Sequence, residues 1–182
     1  MKTLTFFLVI FLPLFAIAQP KEAVVNLENK SAKQMYDIAK EWFALSYNPG
    51  NVSIQVDDPI EQKLIGKGVK NIVCTIKNSQ TFIDVNYALS VAFKQGRFKY
   101  HLDVNSIKYE DGYEMSFEDF KSLTTEKGWN AYRNKPGIRP QFSKNIDEAI
   151  MIDINSLMDN NFDKIIADLT AHLKSEKKEV NW

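Results

Sequence analysis

The sequence predicts an α+β fold, a curved antiparallel sheet of about five strands with two main helices packed on one face. Three observations predict it. Residues 82–105 hold two runs of alternating apolar and polar side chains joined by Gln95-Gly96. A capping signature at Ser31 opens one helical pattern, and a longer helical pattern over 145–174 closes the chain. Alternation with period two is the pleat of a strand with one wet side, so 82–105 reads as a long hairpin with a single apolar face.

The elements follow in order. Met1-Lys2 precedes an apolar run from Leu4 to Ile17, broken only by Thr5 and Pro13, that closes with Ala16-Ile17-Ala18. This is the pattern of a secretory signal cleaved after Ala18, because the run is shorter than the roughly 20 apolar residues that span a bilayer. The remaining 19–182 is expected to form one domain. Ala23 to Leu27 is a short apolar run ended by Asn29-Lys30-Ser31. Ser31 and Gln34 make a capping box, and Met35, Ile38, Ala39, Trp42 and Phe43 recur at helical spacing until Asn48-Pro49-Gly50 stops the helix, which is expected over about 32–47. Val52, Ile54 and Val56 alternate with Ser53, Gln55 and Asp57 in a strand that stops at Asp58-Pro59. Residues 64–76 read as the next strand, with Gly66-Lys67-Gly68 expected to mark a bulge or turn in it.

The hairpin comes next. Its two-residue loop fixes the register, pairing Lys94 with Arg97, Phe93 with Phe98, Val91 with Tyr100, Leu89 with Leu102 and Tyr87 with Val104, so the large apolar groups share one side. From Ile107 to Gln141 the period weakens, and the stretch reads as an irregular insertion holding a turn at Gly112, a short helix at 117–123 and a loop near Pro136. Ile146, Ala149, Ile150, Ile154, Leu157, Met158, Phe162, Ile165, Ile166, Leu169 and Leu173 then keep one apolar side, with Asp159-Asn160-Asn161 as a soft spot where a kink is expected. A helix over 146–173 is roughly 42 Å long at about 1.5 Å per residue, and a strand over 82–94 roughly 43 Å at about 3.3 Å. On those lengths one helix can roof the hairpin end to end.

In this β-α-β-β-β-β-α order, with the Ser31 helix, the turn within Phe93-Lys94-Gln95-Gly96-Arg97-Phe98-Lys99-Tyr100 and the closing helix, the chain resembles a small exported bacterial family of unknown function with a TBP-like fold. The resemblance covers about 23–105 well and the last helix more loosely, and it rests on pattern and order. It implies a saddle-shaped sheet backed by helices. It does not imply DNA binding, because fold does not carry function, and it offers no catalytic residues.

Loss of 1–18 would take one of 23 basic side chains and none of the 23 acidic ones, leaving a net charge near −1 on 164 residues. That balance supplies no overall attraction for a phosphate backbone, so no nucleic-acid partner is expected. Cys74 is the only cysteine; it reads as a small buried side chain in the apolar run 72–76, and an exported chain built this way must be held by packing. No cofactor or metal is expected. Asp57-Asp58 with Glu61, Glu110-Asp111 and Glu118-Asp119 lack calcium-loop spacing and read as turn formers and helix-start charges. His172 reads as packing at a helix end.

In the hairpin register His101 faces Ser90, with Asp103 two residues along, which suggests a hydrolase with Ser90 as nucleophile, His101 as base and Asp103 as orienter. Mid-strand N–H groups belong to the ladder and cannot form an oxyanion hole, so catalysis is not the expectation. Two binding surfaces are. One is the open sheet face with Asn86, Ser90, His101, Asp103 and Asn105, extended by Ser53, Gln55, Thr75, Ala88 and Ala92; the other is an aromatic segment with Tyr109, Tyr113, Phe117, Phe120, Trp129 and Tyr132. The sequence thus points to a non-catalytic binding or assembly module in the periplasm or outside the cell. Its expected partner is a protein or glycan of the cell envelope, with no stable membrane span once the signal is gone. The alternatives are an enzyme of unrecognised type on the open face and an accessory subunit of an envelope complex.

Overall fold

The computed structural model describes residues 21–46, 52–76, 79–122, 125–134 and 144–175; the expected signal segment lies outside them. The elements are β1 (Lys21–Asn26), α1 (Ala32–Ser46), β2 (Val52–Asp58), β3 (Lys63–Ile76), β4 (Ser79–Lys94), β5 (Arg97–Tyr109), β6 (Glu114–Ser116), α2 (Phe117–Ser122), α3 (Glu126–Arg133) and α4 (Lys144–Lys174). All strand pairings are antiparallel, in the order β1-β5-β4-β3-β2, with β6 beside β1 on the outer side of β5. The expected fold class holds; within the stretch read as irregular the short helix expected at 117–123 forms as α2, and a sixth short strand, β6, and a further short helix, α3, are added.

The hairpin pairs as its two-residue loop dictates, from Lys94 with Arg97 to Tyr87 with Val104. Gly96 sits at φ 72°, a left-handed conformation that the tight turn needs and that glycine adopts without strain. Leu89 and Leu102 are buried under the helices. Beyond them the register slips: Tyr87 pairs with Val104 but Asn86 with Ser106, so Asn105 is the extra residue of a β-bulge. The slip flips the phase of β5 and turns Ile107 and Tyr109 inward, where unbroken alternation would have put them in water. That flip is why the period fades at Ile107 in the sequence although the strand runs on to Tyr109.

The glycines of β3 mark neither a bulge nor a turn in that strand. Register with β4 is unbroken from Lys63 opposite Ala92 to Ile76 opposite Ser79. What they provide is room: a Cβ on Gly66 would lie 2.6 Å from the Phe43 ring, and one on Gly68 2.6 Å from the Tyr87 ring. The bulge lies instead in β2, at Gln55, between the pairs Ile54–Gly66 and Val56–Ile65.

Three helices share the roof, where the sequence predicted two main ones with the last long enough to cover the hairpin. The capping box forms as read, with Ser31 N–H donating to Gln34 Oε1 at 2.9 Å and Gln34 N–H to Ser31 Oγ at 3.2 Å. It starts α1, which buries Met35, Tyr36, Ile38, Ala39, Trp42 and Phe43, with Tyr36 edge-on to Phe93 near the hairpin turn. The described part of α4 buries Met158, Phe162, Ile166, Leu169 and Leu173, and Phe162 packs against Tyr87 with ring centroids 5.5 Å apart. α4 stays helical through the soft spot at 159–161, and Asn161 Nδ2 donates back to Leu157 O. α2 adds Phe120, which joins Ile107 and Met115 in the core at the far end of β5. Each such large side chain taken out of water contributes roughly 1.5–3 kcal/mol. Trp42 Nε1 donates to Asp168 Oδ2 at 2.8 Å and ties α1 to α4.

Candidate functional site

The sheet face away from the helices is described by its rows. Across the middle, Val56, Ile65, Ser90, His101 and Glu22 follow one another from β2 to β1. The next row toward the bulge holds Lys67, Ala88 and Asp103, and the next Val69, Asn86, Ser106 and Ser116. Asn86, Ser90 and His101 are half-buried, whereas Asp103 and Asn105 are exposed.

His101 lies between two carboxylates. Its Nε2 is 2.9 Å from Asp103 Oδ2 and its Nδ1 3.2 Å from Glu22 Oε2. Lys99 also binds Glu22, and this ammonium, with His101 beside it, holds the Glu22 carboxyl below the usual carboxylate range. Ser90 stands opposite His101 in the register, yet Nε2 is taken by Asp103 and Nδ1, buried beside Glu22, makes no hydrogen bond, so the serine–histidine link that a hydrolase needs is not formed. A second cluster surrounds the bulge: Asn86 Nδ2 donates to Ser106 Oγ at 2.9 Å and to Glu114 Oε1 at 3.3 Å, and Ser106 Oγ–H also binds Glu114.

The expectation of a hydrophilic open face needs correction. Val24, Val56, Val69, Val73 and Phe82 stand on it with 37–55% of their surface exposed, and Phe82 sits directly opposite Val73. β3 sends Leu64 and Ile72 into the core and Ile65, Val69 and Val73 to the other side, so it is apolar on both faces. That is the pattern of a strand covered on both sides, and it was readable in 64–76. Glu22 and Glu114 were missed for another reason: the places of β1 and β6 across the sheet are not encoded in local periodicity.

The aromatic segment divides. Tyr109 and Phe120 are buried and Tyr113 and Phe117 half-buried, in ring pairs 6.2 Å and 6.0 Å apart, so these four seal the β5–β6 end of the core. Trp129 and Tyr132 lie on α3, three residues apart, and their side chains are outside the described ones. The carboxylates serve local backbone: Asp58 Oδ1 accepts from Ile60 N–H and Glu61 N–H, Asp111 from Tyr113 N–H, and Ser116 with Asp119 caps α2. Among the described residues no three of His, Cys, Asp and Glu gather as a metal site, and no helix is long and apolar enough to cross a membrane.

On the helix side a shallow groove of about 530 Å³ runs between β1 and α4. Val25 and Tyr100 floor it, Ile166, Ala167, Thr170 and Ala171 wall it, and Asp163 and Lys174 lie toward its ends.

The model of a domain of unknown function with TBP-like fold, DUF4468, matches residues 22–121, from β1 to the last turn of α2. The chain belongs to the DUF4468 family. Its fold agrees with that of a DUF4468 protein from Bacteroides ovatus at a TM-score of 0.62 and 16% identity over 88% of each chain. It agrees with a TBP-like protein from Parabacteroides distasonis at 0.60 and 10% identity, over 87% of this chain and 94% of that one. At such identities the likeness is one of DUF4468 architecture alone. No curated protein matches the chain.

Proposed function

We propose that this DUF4468 protein is an exported, non-catalytic docking module whose open sheet face receives a protein of the cell envelope. The supporting observation is the composition of that face. Val56, Val69, Val73 and Phe82 offer exposed apolar surface on β2–β4, beside a polar and charged half built from Lys99, His101, Asp103, Asn86 and Glu114. Apolar surface rimmed by fixed polar groups fits a protein partner better than a glycan. His101 bonded to Asp103, with Glu22 beside it, supports a polar recognition patch rather than a base for Ser90.

Photo-crosslinking in the native cell tests this. A photoreactive residue at Val69 or Ser90 is expected to give a discrete protein adduct, and one at the exposed Lys33 of α1 none. Adducts of equal yield from both sides, or none from the open face, would overturn the reading; capture of a glycan there would replace the partner class. Export is tested by the mass of the mature protein, expected to begin at Gln19.

A further inference from the structure

The two outer edges of the sheet are not alike. β2 is blunted by its bulge at Gln55 and ends in Asp57-Asp58 ahead of Pro59. β1 is unbulged in its pairing with β5 and carries Ala23-Val24-Val25 at its centre, with Val24 55% exposed. Leu27 N–H donates to Gly96 O at 2.8 Å, in register with the β1–β5 pairing. The odd residues of β1 therefore exchange bonds with β5, and the N–H and C=O groups of Glu22, Val24 and Asn26 point outward. Among the described residues no strand meets them.

We propose that two copies of this chain join through β1, antiparallel about a twofold axis at Val24, into one continuous sheet. The even residues supply the bonds, Val24 to the second copy's Val24 and Glu22 to its Asn26. Charge selects a second copy over other extended segments. At one end of the groove Lys21 meets Asp159 and Asp163, an excess of negative charge. At the other end stand Lys174 and Lys30, the latter held by a 2.8 Å bond to Ser175 O. The twofold lays the acidic end of each copy beside the basic end of the other. On the open face it brings Glu22 toward the second copy's Asn26, whose β5 neighbour is Arg97. The groove leaves room on the helix side for the Ala23 and Val25 side chains of the added strand.

Sedimentation of the purified protein is expected to show a concentration-dependent dimer. Val24→Pro removes an outward N–H and no bond to β5, so it is expected to weaken association at least tenfold, while Lys174→Glu weakens it through charge. Val24→Cys in a Cys74→Ala background is expected to form a covalent dimer on oxidation, since paired Cα atoms in such a ladder stand at about 5.5 Å, within disulfide reach; Lys33→Cys is expected to form none. A monomer at every concentration up to the solubility limit overturns the proposal. So does a dimer unchanged by Val24→Pro that Val24→Cys fails to link, and so does a monomer that takes up extended peptides at β1 instead.

Discussion

Tyr36 is buried beneath α1 with its hydroxyl on Asp57, and Lys40 holds the same carboxylate from the exposed side. Burial, with Asp57 adding to it, pushes the Tyr36 hydroxyl from 10.0 up to about 12. A pKa raised by folding gives stability that is complete below pH 10 and lost as the pH climbs through about 12. Asp57 moves the other way: Lys40 first and Tyr36 second hold it below 3.8, so its share is present above that value and disappears as acid protonates the folded carboxylate. Urea unfolding across pH is therefore expected to show an alkaline decline that Tyr36→Phe flattens and an acid decline that Asp57→Asn reduces. The same alkaline limb in Tyr36→Phe would contradict this. At Gly66 and Gly68 an added methyl meets an aromatic ring, and either change to alanine is expected to lower stability by about 1–3 kcal/mol. Gly96→Ala, with open space around it but φ 72°, is expected to lose about 1–2 kcal/mol through backbone strain alone. The sequence shows that β3 tolerates two glycines; which rings lie over them depends on α1 and β4, and no local pattern holds that.

At the scale of elements, legibility follows sequence distance. The Ser31–Gln34 box and the Phe93–Phe98 pairing involve residues a few positions apart, and both were readable. The pairing of β1 with β5 joins residues more than 70 apart, and it delivers Glu22 to His101; the small β6 delivers Glu114 to Asn86. Half of each polar cluster was therefore visible in the hairpin and half was not. The bulge at Asn105 hid the rest of β5, since one slipped residue reverses a period of two. Deleting Asn105 is expected to force Ile107 and Tyr109 toward solvent and to abolish cooperative unfolding or lower the urea midpoint severely. A protein of unchanged midpoint would show that the bulge is dispensable. Leu169, fully buried on α4, is a simpler probe: Leu169→Ala is expected to lose about 2–5 kcal/mol.

For the whole molecule, one division decides the architecture. The apolar side of β3, β4 and β5 is roofed by α1, α2 and α4, and no described element covers the other side, where apolar groups of β2, β3 and Phe82 stand beside a charged half on β5 and β1. The fold class was legible because the alternation in 82–104 states which side is buried. The character of the bare side was legible only for β4 and β5. A protein cut before residue 144 retains every strand but loses Phe162, Leu169 and Leu173, and is expected to show no cooperative thermal transition by circular dichroism.

Lys21, at the first described residue, grips Asp159 and Asp163, and Lys30 grips Ser175. β1 is thus latched to α4, which the ribosome delivers after every strand of the sheet. A growing chain has its ribbon exposed and its clasp missing until α4 has been made. Such a chain is slow to lock, and if it leaves the cytoplasm through a narrow channel, as proposed, that delay keeps it threadable.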